Sequence, residues 1–158
     1  MDNVEFVKKV LHTADYFGTL NAIESYRNFN FITPYADDEG KYYKFFKEYG
    51  DCVYFLIGMG KLLKVGKAQG EKGWYSRVNQ YRRGYNYDGT NKMVLNRMQE
   101  LDINRVSVYA VHCPRQVRRI YCPLFKKNVQ VIVKTAENIE SRYLKMLDTK
   151  LALCVQHA

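Results

Sequence analysis

No stretch of the sequence is apolar for long enough to span a bilayer, which takes about 20 residues. The best run, Val53 to Gly60, is strand-length and stops at Lys61. The N-terminus, Met1-Asp2-Asn3-Val4-Glu5, lacks the basic start and apolar run of a secretory signal. The expectation is a soluble, intracellular, cytoplasmic protein with no membrane partner. Cysteine is sparse and scattered. Cys52, Cys113, Cys122 and Cys154 form no C-x-x-C pair, which argues against zinc or a redox dithiol and for buried, reduced thiols. Internal repeats and low-complexity tracts are absent. Acidic residues are in deficit: 16 Asp and Glu face 25 Lys and Arg, a net charge of +9.

The 158 residues suffice for one domain, and a chain this size buries roughly 70% of its unfolded surface without staples. Hydrophobic residues at 47% and charged residues at 26% exclude a wholly disordered, collagen-like or coiled-coil chain. The positive charge is lopsided. Residues 1–50 carry 6 basic and 8 acidic side chains, so residues 51–158 carry 19 and 8, a net of +11. Such a field suits a polyanion, because cations set against phosphates release condensed counterions. DNA leads as the partner, RNA is the alternative, and an anionic membrane surface ranks behind both.

The first fifty residues read as helical. Val4, Val7, Leu11 and Ala14 fall at helical spacing, and beyond Pro34 a second helix capped by Asp37 aligns Tyr42, Phe45, Phe46 and Tyr49 as an aromatic core face. From Gly50-Asp51 the period becomes that of strands, with a hairpin over Val53 to Lys67 turning at Gly58-Met59-Gly60. Residues 74–83 and Met93 to Leu101 read as helices. Arg105 to Cys113 and Val129 to Lys134 read as strands, and Ile139, Tyr143, Leu147 and Leu151 mark a closing helix from about Ala136. The expected fold is α/β or α+β: a sheet of about three strands flanked by helices over residues 51–158, with residues 1–50 as an N-terminal helical extension packed on it.

A three-residue hairpin loop pairs Ile57 with Lys61 and places Tyr54 opposite Lys64. Val53, Phe55, Ile57, Leu63 and Val65 then face the core. Tyr54, Leu56, Leu62, Lys64 and Gly66 share the other face, where a phenol and an ammonium are neighbours and the glycine leaves room for a phosphate. An equally good reading is a half-exposed face on which Lys64 covers the Tyr54 ring.

The tripeptide Cys52-Val53-Tyr54, the stretch Lys64-Val65-Gly66-Lys67-Ala68 and the helix Ser76-Arg77-Val78-Asn79-Gln80-Tyr81 together resemble the core of the GIY-YIG nuclease superfamily. Lys64 stands where the name-giving second tyrosine would, as in the phage and restriction-type branch, and Cys52 replaces the first glycine. The resemblance is specific over about Cys52 to Arg83 and looser at Glu140. It implies an endonuclease in which Tyr54 helps to activate a water, Arg77 contacts the scissile phosphate and Glu140 binds one Mg²⁺ or Mn²⁺; beside Tyr54, the cation of Lys64 or Lys67 would make proton abstraction easier. Glu137 competes for the metal, and Glu140 is preferred because Tyr143-Leu144 follows it at the family's spacing. The insertion Gln69 to Gly73 leaves Arg82 as an alternative to Arg77. Chemically the set is coherent. A phenol has a pKa of about 10, nearby cations favour its ionised form, and a guanidinium presents a planar fork to phosphate oxygens.

Between Lys61 and Arg119 lie 13 basic and 4 acidic residues, interleaved with tyrosines. Lys67, Tyr81, Arg82, Arg83 and Tyr85 are the expected DNA contacts, and Arg115, Arg118 and Arg119 extend the track. His112 is an outside candidate for the site. The function read from the sequence is metal-dependent DNA hydrolysis, one phosphodiester per site, with a homodimer as one route to cutting both strands. The alternative is a catalytically inactive nucleic-acid-binding module.

Overall fold

The computed structural model describes residues 2–36, 42–133 and 135–146. In them the chain runs α1 (Asn3–Thr13), β1 (Asp15–Ile23), β2 (Asn28–Ile32), α2 (Tyr43–Tyr49), β3 (Cys52–Gly58), β4 (Lys61–Ala68), α3 (Gly73–Tyr81), α4 (Gly89–Glu100), β5 (Arg105–His112), β6 (Gln116–Cys122), β7 (Lys127–Val133) and α5 (Ala136–Met146). Five strands form one antiparallel sheet in the order β2-β1-β5-β3-β4, and β6 and β7 form a separate two-stranded ribbon. The fold is α+β with helices on both faces of the sheet. On one face Phe46 of α2, Trp74, Val78 and Tyr81 of α3 and Leu95 and Met98 of α4 pack against Phe17, Phe31, Tyr54 and Leu56. On the other, Phe6, Val7 and Val10 of α1 and Ala136 and Leu144 of α5 pack against Val53, Phe55 and Val65.

The sheet has five strands rather than about three, because the segment expected to be a helical extension supplies two of them. Among the described residues there, only α1 and α2 are helical. The α1 N-terminus is capped by Asp2, whose carboxylate accepts from the Glu5 amide at 2.8 Å. Its buried stripe is Phe6, Val7 and Val10, while Val4 and Leu11 are exposed, so the stripe is rotated from the expected one. β1 pairs with β5, and the sheet crosses the expected boundary at Gly50-Asp51. The β1–β2 reversal is made by Glu24, Ser25 and Tyr26, all at positive φ (54°, 56° and 63°), with no glycine or proline to mark it. Asp37, the expected helix cap, lies outside the described residues, as do Leu147, Leu151 and Cys154. The aromatic face of α2 does enter the core, with Tyr42 and Phe46 buried.

The β3–β4 hairpin also departs from its expected register. Its turn is two residues, Met59 and Gly60, both at positive φ (50° and 72°), the backbone that a tight turn between twisted strands requires. A bulge follows: Leu56 pairs with Lys64 but Ile57 with Leu62, leaving Leu63 as the extra residue. Leu62 therefore joins the Val53 side and Leu63 the Tyr54 side, the reverse of the expectation. Tyr54 faces Gly66, not Lys64. Both faces of β3 are buried, so neither is an open ligand face.

Candidate active site

α3 divides its surface between core and solvent. Trp74, Val78 and Tyr81 are buried in the sheet-facing core, while Ser76, Arg77 and Gln80 line a cleft of about 220 Å³ together with Lys67 and Gln69. The last turn of α3 is held by Asn91 at the start of α4. Its side-chain amide donates to the Gln80 and Gly84 carbonyls, each at 2.9 Å, satisfying acceptors that a helix end leaves open. Asp88 in turn caps α4 by accepting from the Asn91 amide at 2.9 Å.

Tyr54 lies beneath this cleft and is fully buried. Its ring covers Gly66, where any Cβ would be driven into the phenol, and meets Trp74 edge-on at 4.9 Å. The glycine thus accommodates the tyrosine itself rather than a phosphate. Arg77 Nε donates to the Tyr54 hydroxyl at 3.0 Å, and that hydroxyl lies 2.7 Å from the hydroxyl of Tyr81. Arg77 Nη1 also donates to Gln80 Oε1 at 2.6 Å. A guanidinium has five N–H donors, so Arg77 keeps donors for the cleft it lines. Gln69 presents a buried Oε1 with no hydrogen-bond partner among the described residues.

Burial sets the electrostatics. It pushes the Tyr54 phenol above its ordinary value of 10.0, and the opposing pulls of Arg77 and of the Tyr81 hydrogen bond do not cancel it. The Tyr81 phenol is pushed well above 10.0, first by burial and then by Tyr54. The expectation that nearby cations make Tyr54 easy to ionise is therefore overturned: desolvation is the larger effect. Arg77 is itself desolvated, yet the two tyrosines more than offset that and hold it firmly protonated.

Glu140, on α5, is buried, with 4% of its surface exposed. Desolvation raises its carboxyl above 4.5, against the attraction of Lys67, Lys64 and Arg77, and Glu137 adds to the rise. Lys64 is buried on the hairpin face it shares with Tyr54. Lys67 bridges to Glu137 at 3.2 Å, with Glu137 exposed. The structure thus brings Tyr54 and Arg77 into contact and sets Lys64 and Lys67 within electrostatic reach of Glu140. No group of three or more His, Cys, Asp or Glu side chains able to hold a metal occurs among the described residues.

The fold has solved counterparts. The chain superposes on a mutant of bacteriophage T4 EndoII with a TM-score of 0.56 over 90% of this chain and 92% of that one, at 14% identity. It superposes on restriction endonuclease HPY188I in complex with product DNA with a TM-score of 0.51 over 92% of this chain and 84% of that one, at 22% identity. No family model matches the sequence, and no curated protein matches it significantly. The chain therefore shares its fold with both of these proteins.

Other expected residues lie elsewhere. Tyr81 is buried rather than exposed along a DNA path. Arg82 is exposed with its guanidinium 5.3 Å from the Tyr42 ring centroid, so Arg77 and not Arg82 meets Tyr54. Arg83 lies over Tyr87 at 5.0 Å, and Tyr85 is faced by Arg27 at 4.3 Å and Lys92 at 5.5 Å. His112 stacks edge-on against Tyr49 at 5.2 Å, and Tyr49 donates to Asp15 at 2.8 Å. Cys52 and Cys113 are buried free thiols. No helix among the described residues is long and apolar enough to cross a membrane. Sequence reasoning missed Gln80 and Asn91 as positioning residues. The helical spacing of Gln80 from Arg77, three positions on, was the available signal.

Proposed function

We propose that the protein is a metal-dependent DNA endonuclease of the GIY-YIG type, in the branch with lysine in the second motif. The observation that carries this reading is the 3.0 Å hydrogen bond from Arg77 Nε to the Tyr54 hydroxyl at the floor of a basic cleft. The likeness of fold to EndoII and to a restriction endonuclease in complex with product DNA supports it.

The residues divide the work. Arg77, oriented by Gln80 and Tyr54, offers its free N–H groups to a phosphate in the cleft, where charge develops as the bond to the leaving oxygen stretches. Lys67 adds a second cation at the same rim. Phosphate binding draws the guanidinium toward the cleft and exposes the Tyr54 hydroxyl, which loses its proton to solvent, and the phenolate then accepts the proton of the attacking water. Tyr81 holds Tyr54 in place and shares its proton. Lys64 offsets the negative charge of the Tyr54 phenolate until it takes the water's proton.

The donor set fits one hard cation. A single buried carboxylate, Glu140, supplies hard oxygen ligands, which suits Mg²⁺ or Mn²⁺ with waters and phosphate oxygens filling the shell. Bound there, such an ion would stabilise charge on the leaving 3′ oxygen. The complete burial of Tyr54 favours one competing reading, a nucleic-acid-binding module without catalysis. Incubation with supercoiled plasmid, with and without Mg²⁺, decides between them. Metal-dependent nicking that disappears in Tyr54→Phe supports the nuclease, and no nicking by the wild type under any divalent metal supports the silent module.

A further inference from the structure

The β6–β7 ribbon takes no part in the five-stranded sheet, and all of β6 except Cys122 is exposed. Its second strand, β7, was expected from Val129 onward, but β6, Gln-Val-Arg-Arg-Ile-Tyr-Cys, was not, because it buries no face and so shows no apolar alternation. Its neck is nonetheless fixed to the candidate active site. Arg115, one residue before β6, donates from Nε to Asp51 Oδ2 at 2.9 Å, and Asp51 Oδ1 also accepts from the Gly70 amide at 3.0 Å beside the cleft. Thr135 Oγ1 donates to the Pro114 carbonyl at 2.8 Å, tying the two legs together just before α5 carries the chain to Glu140.

Charge and shape both point to one partner. Residues 115–133 contain Arg115, Arg118, Arg119, Lys126 and Lys127 and no acidic residue. Seven residues per strand at about 3.3 Å each make a ribbon of roughly 23 Å, with strands about 4.8 Å apart. A DNA major groove about 12 Å wide admits such a two-stranded ribbon. The register pairs Arg119 with Gln130 and Tyr121 with Asn128 on one face, and Arg118 with Val131 and Ile120 with Val129 on the other. The first face carries the side chains that hydrogen-bond to base edges: arginine to guanine, and glutamine or asparagine to adenine. At the tip, Leu124 and Phe125 are 81% and 65% exposed, apolar groups of the kind that contact thymine methyls.

We infer that the ribbon is the DNA-reading arm of the molecule, entering the major groove with the Arg119–Gln130 and Tyr121–Asn128 face toward the bases. The inference rests on the nuclease reading for the location of the scissile phosphate, but duplex binding by the ribbon does not require cleavage. The test is fluorescence anisotropy with a short duplex in EDTA, titrated against salt. Wild type is compared with Arg119→Ala/Gln130→Ala and with Arg119→Lys, each first shown to melt cooperatively. The double variant should lose at least about tenfold in affinity, the energy of a bidentate base contact. Arg119→Lys keeps the charge and should lose sequence preference more than affinity. Methyl green, a major-groove ligand, should displace the protein, and the minor-groove ligand netropsin should not. Unchanged affinity in both variants, or displacement by netropsin alone, overturns the inference. A switch in oligomeric state with duplex affinity intact also overturns it and makes the ribbon a contact between two copies of this chain. The two readings fail separately. Plasmid cut at unchanged sites and rates by the double variant removes the arm and leaves the nuclease, whereas ribbon-dependent binding without cleavage removes the nuclease and leaves the arm.

Discussion

Gly66 lies directly across the hairpin from Tyr54, and the tyrosine ring occupies the space where a side chain at position 66 would project. Local packing thus fixes the phenol in the one orientation that meets Arg77 and Tyr81. Gly66→Ala should therefore destabilise the protein by about 1–3 kcal/mol through overpacking. In a Tyr54→Leu background the same substitution should cost far less, because the clashing ring atoms are gone. Urea unfolding of the four proteins in this cycle checks it, and equal costs in both backgrounds would contradict the contact.

Tyr54→Phe removes one oxygen and leaves the ring in place. Arg77 Nε and the Tyr81 hydroxyl both lose their shared partner, so the expected cost is about 1–3 kcal/mol from unsatisfied buried donors. Metal-dependent nicking should fall by at least about a hundredfold, in the range of a lost proton acceptor. Duplex affinity should change little. Calorimetry, plasmid nicking and anisotropy read the three quantities separately.

The alternation of Val53, Phe55 and Ile57, the helix carrying Arg77 and the start of α5 near Ala136 were legible because apolar periodicity and secondary structure agree there. β1 and β2 were not, since their reversal relies on Glu24, Ser25 and Tyr26 in left-handed conformations without a glycine or proline signal. The bulge at Leu63 was equally silent, because two adjacent leucines serve either face. Tyr54, Arg77 and Glu140 could be named from the sequence. Their burial could not, and burial is what reverses the expected direction of the Tyr54 shift.

The raised phenols make a pH prediction with a definite sign. Tyr54 and Tyr81 stay neutral in the folded protein above the pH at which an unfolded tyrosine ionises, near 10. The stability they contribute is full below pH 10 and is lost as pH rises from there toward the folded values. Cleavage should respond in the opposite sense, rising with pH through the range 7 to 9 without a plateau as the fraction of ionised Tyr54 grows. Rate and melting temperature measured over the same pH series should diverge near pH 10, and a rate plateau near neutrality would contradict a tyrosine base.

Glu140 makes a second such case. Its carboxyl is raised, so the folded protein prefers the protonated form, and its contribution to stability is full below about pH 4.5 and lost as pH rises through the folded value. At pH 7 in EDTA, Glu140→Gln should then melt at the same temperature as the wild type or higher, while metal-dependent nicking disappears. Adding Mg²⁺ should raise the melting temperature of the wild type and leave that of the variant unchanged. A variant that melts well below the wild type in EDTA would mean that the ion pairs around Glu140 outweigh its desolvation.

The tie between ribbon and core should show the asymmetry of a half-buried ion pair. The Asp51 side chain is 2% exposed and that of Arg115 is 31% exposed. Arg115→Ala leaves a buried carboxylate with the Gly70 amide as its remaining donor of the three, whereas Asp51→Asn removes the charge and keeps an acceptor for that amide. Arg115→Ala should therefore be the more destabilising, by about 1–2 kcal/mol. The double variant should cost less than the sum of the two, because once the carboxylate is neutral the guanidinium has little left to offset. Urea unfolding of the four proteins tests the order, and the reverse order would place the energy of the contact in the guanidinium rather than in the buried acid.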